Sequence, residues 1–419
     1  MRSHGFSKRE SRYVWLIVDQ ASLPAYRHGT HRTVAPEETL GRLAPLLPEF
    51  EITRVGEVTG LDCIGIPTVM VVRPNARSHN LSFGKGGDLL AAKASGVMEA
   101  IEHYHAERPP CPLRLGSASE LLIDQRVLAP DRLTGRTADC SANERLLWAE
   151  GRGLTGNRIW APLEQVHLDL RLPLPAGSGF FRRSTAGLAS GNTLAEAVVH
   201  GVCELIERDA LSLFMQRSPK EQQRRRVDLQ SVDDPLCIEL LWKYADANVQ
   251  VAAWDLTSDV RIPCFLVGTL DERSALQRPL GLGFGSGCHV SRAVALARAL
   301  CDAAQQRVRR LVGASKGEVR ELASRLAPLR AAFAESGPTP TTFLDLPIYE
   351  GQTLDDDIGM LQQKLEVVDV TATVVDLSRS QYPIHVVRVV ATELESDASL
   401  PGYEPGPRAL RVRAERGAA

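Results

Sequence analysis

Apolar positions along this chain switch between a two-residue and a helical period, and that switching lays out its elements. Tyr13 to Val18 reads as a strand and the region around Glu37 to Leu47 as a helix. Glu51 to Arg73 reads as two short strands broken at Gly60 and Pro67, with Pro67 to Val72 apolar enough to be buried. Leu81 to Glu107 passes from a Gly-rich run into a long helix, which Pro109, Pro110 and Pro112 close. A strand follows at Leu146 to Gly151, then a strand and turn in "RIWAPLEQVHLDL". A second Gly-rich run, Ala186 to Asn192, opens a second long helix ending near Gln216. Helix Pro235 to Ala247 and strands Val249 to Leu256 and Pro263 to Leu270 lead to a third such run, Gly281 to Gly287. It precedes a third long helix, Ser291 to Val312. Beyond it the pattern predicts a helix to about Ser336, a helix at Leu354 to Leu365, and strands Thr371 to Leu377 and Ile384 to Ala391. The tail after Leu400, rich in Pro, Gly and Arg, reads as extended or disordered. Without a strict βαβ rhythm, the fold class is a mixed α/β (α+β) one.

Composition narrows the class. The chain has 419 residues, 44% of them hydrophobic and 24% charged, which is the range of a large globular protein. A net charge of −2 supplies no excess cation for nucleic acid, and the basic stretches at Arg224 to Arg226 and Arg307 to Arg310 read as solvated faces. Eight cysteines without a C-x-x-C pair suggest neither a disulfide framework nor a zinc ribbon. The apolar run after the basic N-terminus is too short for a signal or a membrane span, so a cytoplasmic protein is expected, without membrane or nucleic-acid partners.

The strongest signal is internal repetition. Gly84 to Glu102, moved forward by 105 residues onto Ala189 to Glu207, matches at eight of 19 positions without a gap. Two of the matches pair Glu99 with Glu204 and Glu102 with Glu207. A fainter copy lies a further 98 residues on, where Cys203 meets Cys301, Glu204 meets Asp302 and Glu207 meets Gln305. At about 100° per residue, Ser95, Glu99 and Glu102 share one helix stripe, and so do Glu196, Glu204 and Glu207. Glutamates three apart often flank a basic partner on a wet face, yet here only Lys93 and Arg208 stand at helical spacing. Their neighbours are apolar, and a carboxylate beside a buried face must be paired or bind a cation. Carboxylates without His or Cys suit Mg2+. The runs "SFGKGG" and "ASGN", read as loops before helix N-termini, offer N–H groups to phosphate, although neither is a Walker A loop. "GLGFGSG" matches a dinucleotide fingerprint only superficially.

Three long segments, "GKGGDLLAAKASGVMEAIEHYHAE", "GLASGNTLAEAVVHGVCELIERDAL" and "GSGCHVSRAVALARALCDAAQQR", resemble the signatures of the YcaO superfamily, as does "TGLDCIGIPTVMVVRPNA". The resemblance implies a YcaO-like fold with an N-terminal segment at 1–50, a YcaO domain at 51–393 and a tail at 394–419. It implies an enzyme that binds ATP and Mg2+ and phosphorylates a backbone amide oxygen in a peptide or protein substrate. Glu99, Glu102, Glu204 and Glu207 would hold the metal. Ser95, Asn192 and Glu196 would complete the nucleotide pocket, and Lys85 and Gln305 would contact phosphate or nucleotide, with either Arg307 or Arg309 beside them. Those two arginines lie roughly 160° apart on the helix, and Arg309 shares the face of Gln305. The family usually carries Glu where Asp302 stands. Azoline-forming members usually end in Pro-x-Pro-x-Pro, whereas here only Pro405 and Pro407 are so spaced, and the tail is expected to be dispensable. "TGLDCIGIP" is similar to members encoded beside a TfuA protein, which implies thioamidation in ribosomal peptide or protein modification with a TfuA-like partner. Azoline formation, or a nucleotide-binding accessory role in ribosomal-protein methylthiolation, is the alternative, and a homodimer is left open.

Overall fold

The computed structural model describes residues 29–271, 281–313, 327–330, 333, 340–349, 351–396, 398 and 402–418. The expected strand at Tyr13 to Val18 and most of the helix running to Ser336 lie outside those residues. In chain order the elements are α1 (Pro36–Leu43), β1 (Arg54–Glu57), β2 (Thr68–Val72), β3 (Leu81–Lys85), α2 (Leu89–Ala106), β4 (Leu113–Ser117), α3 (Ala118–Leu121), β5 (Arg145–Gly153) and β6 (Arg158–Pro162). There follow β7 (Leu188–Gly191), α4 (Leu194–Gln216), α5 (Pro219–Arg224), β8 (Val227–Asp228), α6 (Pro235–Asp246), β9 (Gln250–Asp255), β10 (Cys264–Asp271), β11 (Gly281–Cys288) and α7 (Arg292–Leu311). The last are β12 (Thr341–Thr342), α8 (Leu354–Val367), β13 (Ala372–Asp376), β14 (His385–Ala391) and α9 (Pro407–Ala418).

Three sheets carry the architecture: β1-β2-β3, β11-β10-β9 and β4-β5-β13-β14-β7, with β6 paired to β5. A two-residue parallel pair, β8 with β12, stands apart. The strands β3, β7 and β11 each end their sheet, and the chain turns from each directly into a long helix. The residues before those helices, Asp88, Thr193 and Ser291, are separated by the repeat's own offsets of 105 and 98. Asp88 and Thr193 cap their helices by accepting from Ala91 N and Glu196 N.

The Gly-rich runs are not loops before the helices but the edge strands themselves. Each helix lies back on its own strand so closely that only glycine fits. A Cβ on Gly84 would strike the Ala92 carbonyl and the Gly96 amide, and one on Gly285 would strike the Ala303 amide. Each helix also touches the edge strand of the next unit, α2 with β7, α4 with β11 and α7 with β3, which closes the three units into a ring.

Apolar side chains fill the space between helices and sheets, with Val198, Val202, Ile206 and Phe214 of α4 among the buried ones. Leu43 and Phe50, from the segment before β1, are buried with Ile101 of α2. None of the eight cysteines is in a disulfide. No helix among the described residues is long and apolar enough to cross a membrane.

The tail departs from expectation as well. Pro407–Ala418 is helical, and Arg408 donates from Nε and Nη2 to the two oxygens of Asp209 at 2.9 Å each. It also reaches Asp259 at 3.1 Å. Asp209 is fully buried on α4, and burial raises its pKa against the pull of Arg408. Glu395 receives the amides of Gly406 and Ala409 and the Tyr403 hydroxyl. Composition alone suggested disorder, but a buried carboxylate elsewhere in the chain selects the helix. Arg408→Ala is therefore expected to lower stability by about 3 kcal/mol or more at neutral pH, since it strands a buried charge. Chemical denaturation checks this, and the loss should shrink in acid, where Asp209 protonates.

Candidate active site

The ring of helices encloses a cavity of about 350 Å³. α2 presents Ser95, Glu99 and Glu102, α4 presents Glu204, Glu207 and Arg208, and α7 presents Arg298, Asp302, Gln305 and Arg309. Lys85 enters from β3, and Asn192 from the turn after β7. Nine of the eleven residues expected from the sequence thus come together. The other two, Glu196 and Arg307, do not line the cavity.

Glu196 stands just behind it. Its carboxylate accepts from Asn192 N at 2.8 Å, Asn192 Nδ2 at 3.2 Å, Thr33 Oγ1 at 2.6 Å and Arg32 Nη1 at 3.3 Å. It fixes Asn192 and ties down the segment before α1. Arg307 points the other way. It donates to Asp62 at 2.8 and 2.9 Å and to Asp271 at 3.1 Å, with its side chain 1% exposed. Arg309 is the one that faces inward, its guanidinium 5.3 Å from the Phe83 ring centroid and its buried Nε without a hydrogen-bond partner. The helix geometry that favoured Arg309 is thus the geometry observed.

The carboxylates are held across the ring. Glu102 accepts from Ser190 Oγ of β7 at 2.6 Å, and Glu207 accepts from Ser286 Oγ at 2.6 Å and Cys288 N at 3.0 Å, both on β11. Asp302 of α7 pairs with Lys85 of β3. Glu204 accepts from Gly187 N at 3.2 Å and Arg208 Nη2 at 3.3 Å. Burial pushes the Glu99 pKa up to about 7 against the opposing pull of Arg309 and Lys85. Burial also raises Glu102 to about 8, and the charges of Glu99 and Glu204 add to the rise. Glu204 is raised for the same first reason. Burial works against the Asp302 carboxylate too, but Lys85 overcomes it and holds that pKa low. At the helix N-terminal end His200 sits between Arg298, 2.9 Å away, and Arg32, 3.4 Å away. Burial and then those two cations hold its pKa well below the usual value.

Among the described residues no three of His, Cys, Asp or Glu stand close enough to grip a metal ion alone. The donor set still fits Mg2+, which takes one or two carboxylates and completes its shell with water and phosphate oxygens. Burial raises the pKa of Glu99, Glu102 and Glu204, which a bound cation would oppose, and the cavity sets cationic and carboxylate walls side by side, as a magnesium–phosphate ligand would need.

Sequence reasoning missed Arg32, His200, Arg298, Ser190 and Ser286. Arg298 was findable, standing four residues before Asp302 on the same stripe. Ser190 and Ser286 lay in runs read as loops, and Arg32 sits where no pattern exists.

Fold and site together define a class of protein that encloses a cavity of carboxylate and cationic side chains between three strand–helix repeats. A family model described as "YcaO cyclodehydratase", binding ATP and Mg2+, matches residues 83–395, and the chain belongs to the YcaO family. It is 32% identical to the protein of the tfuA 3′ region of Rhizobium leguminosarum bv. trifolii over 392 residues, 91% of this chain and 92% of that one. A Methanothermobacter thermautotrophicus protein is 34% identical over 306 residues, covering 69% of this chain and 74% of its own length. Among solved structures, YcaO from Methanopyrus kandleri bound with AMPPCP and Mg2+ superposes with a TM-score of 0.67 at 20% identity, covering 92% of this chain and all of that one. A heterocyclase in complex with substrate and cofactor gives 0.75 at 22% identity over 90% of this chain, which spans only 54% of the heterocyclase. ATP and Mg2+ are thus the cofactors of this family.

The site predicts an inverted pH dependence. Between the ordinary carboxyl value of 4.5 and values of about 7 and 8, Glu99 and Glu102 keep protons in the folded chain that the unfolded chain has released. Stability of the metal-free protein should therefore fall as pH rises through that window and level off above it. Thermal unfolding across the range checks this, and Glu99→Gln with Glu102→Gln should flatten the slope.

Proposed function

We propose that this protein uses ATP to phosphorylate a backbone amide oxygen in a peptide or protein, and that sulfur then replaces the oxygen to leave a thioamide, with a TfuA-like protein as partner. The observation that carries the reading is the likeness to the tfuA 3′ region protein along nearly the whole chain. The tail supports it: none of the described residues after 396 lines the cavity, so no proline tail reaches it from there. Azoline formation remains the second reading, favoured by the family model's description as a cyclodehydratase and by the fold shared with a heterocyclase.

Each residue then has a task. Glu99, Glu102, Glu204 and Glu207 would hold Mg2+ with one or two carboxylates to each ion, and its charge would offset that of the phosphates. Ser95 and Asn192 contact the nucleotide, and Glu196 acts only by orienting Asn192. Lys85, Gln305 and Arg309 meet the phosphates, where positioning and charge neutralisation account for most of phosphoryl-transfer catalysis. Phosphate is a far better leaving group than an amide oxygen, so sulfur can displace it.

Intact-mass measurement on the peptide, after co-expression with the neighbouring genes, tests the product. A thioamide adds about 16 Da and an azoline loses about 18 Da, because the same activated amide meets different nucleophiles. Loss of water would refute thioamidation. Glu204→Gln and Glu207→Gln should lower ATP turnover by about tenfold or more, as loss of a metal ligand does.

The two arginines give a separate check. Arg309→Ala should raise KM for ATP by about tenfold with the fold intact. Arg307→Met should leave that KM unchanged and cost about 3 kcal/mol of stability by taking the cation away from the buried carboxylate of Asp62. The reverse pattern in steady-state kinetics and denaturation would reassign the phosphate contact.

A further inference from the structure

Glu196, His200, Glu204 and Arg208 stand four apart along α4, each one turn beyond the last. Glu196 fixes Asn192, and Glu204 and Arg208 line the cavity. His200 lines it too, between an arginine of α7 and one from the segment before α1. Its Nε2 lies 2.9 Å from Arg298 Nη2, and its Nδ1 lies 3.4 Å from Arg32 Nη2. A neutral imidazole has one N–H donor and one lone-pair acceptor, whereas a guanidinium only donates. The ring can therefore accept from one arginine alone, and it turns an N–H toward the other. Two observations decide which. The Arg298 contact is the shorter, at a distance where two N–H groups could not face each other. Arg32 also has other acceptors, its Nη1 reaching the Ser190 carbonyl at 3.2 Å and Glu196 Oε2 at 3.3 Å. Among the described residues Arg298 has no acceptor besides His200, and its Nε is buried without a partner. The proton therefore sits on Nδ1, and the Nε2 lone pair belongs to Arg298. Burial, and then the charges of Arg298 and Arg32, keep the ring uncharged near neutral pH, so this count of donors applies.

We propose that His200, as the Nδ1–H tautomer, is a positioning residue that holds the Arg298 guanidinium in the cavity wall for the nucleotide phosphates. The inference rests on the reading of the cavity as an ATP and Mg2+ site, and it holds whichever nucleophile follows. Asp302, one turn beyond Arg298 on α7, is drawn to Lys85 instead, which leaves His200 as the group that fixes the guanidinium. A free arginine side chain would lose its rotamer freedom on binding, whereas a held one has lost it already in folding. The N–H groups that His200 does not use stay open to phosphate oxygens. The proton on Nδ1 has a second effect. Facing Arg32 donor to donor, it leaves that residue to Ser190 and Glu196, so the two arginines do not compete for one lone pair.

Nitrogen NMR on the full chain carrying 15N-labelled histidine reads the tautomer, with His200→Gln identifying the signals. A protonated Nδ1 and a bare Nε2 are expected before nucleotide is added. A protonated Nε2, or a charged ring at neutral pH, overturns the inference. Steady-state ATP turnover tests the consequence. His200→Phe should raise KM for ATP by about tenfold, and His200→Asn by as much, because its amide ends where Nδ1 stood. His200→Gln puts an amide oxygen where Nε2 stood and should recover most of the native affinity. A Gln variant as weak as the Asn variant overturns the inference, since filling the space would then be the residue's whole task. That comparison stands even if the Phe variant folds poorly. On an Arg298→Ala background, His200→Asn should change KM by less than about twofold, and effects that multiply in full would show that His200 does not act through Arg298. A native chain with the expected tautomer but no magnesium-dependent ATP binding overturns the nucleotide reading and this inference together. Normal ATP binding with the other tautomer overturns this inference alone.

Discussion

Helix backbone resting directly on strand backbone is the contact on which the rest of this protein depends. At Gly84 and Gly285 a single Cβ would push α2 or α7 off its strand. Because the helices lie so close, side chains one turn further along reach over the strand into the middle of the ring. There Glu102 meets Ser190, Glu207 meets Ser286, and Lys85 meets Asp302. Each bond joins a helix of one unit to a strand of another, so the spacing of the glycines and the spacing of the carboxylates are one constraint seen from two sides.

The ring also explains how so much charge is tolerated inside. Gathering carboxylates out of water is costly, and the fold pairs most of them rather than leaving them bare. Asp302, where the family usually has glutamate, is drawn to Lys85 and kept ionised, and Glu196 is saturated by an amide, a hydroxyl and a guanidinium. In the cavity, burial still raises the pKa of Glu99, Glu102 and Glu204, even with Arg208 beside Glu204. Strain of this kind at a site is what a bound cation relieves, so the same residues destabilise the free protein and favour its ligand.

Most of this was legible in the sequence because duplication preserves register. Offsets of 105 and 98 residues carried the glutamates, the helix starts and the order of the units together. Helical periodicity then favoured Arg309 over Arg307 without deciding between them, and it is Arg309 that lines the cavity. The errors share a cause. Glycine disfavours strands as a propensity, so three edge strands read as loops, since the need for close approach is a tertiary fact. The tail read as disordered because its composition says nothing about Asp209, which is 199 positions away from Arg408 and waiting for a cation. Arg32 and His200 meet only in the folded chain, and no local pattern marks either one.

Those long-range partners bear on how the site is assembled. Arg32 and Thr33, near the start of the described chain, close on Glu196 in the first turn of α4, and Arg408, near its end, closes on Asp209 further along the same helix. α4 also carries Glu204 and Glu207, so the helix with half of the four glutamates is gripped from both ends of the chain. The three duplicated units alone would leave Glu196 and Asp209 buried without their cations, which is strongly unfavourable. The duplication supplies the carboxylates, and the flanking segments make it tolerable to bury them. The burial of the α4 carboxylates thus depends on segments on both sides of the repeats, Arg32 and Thr33 on one and Arg408 on the other.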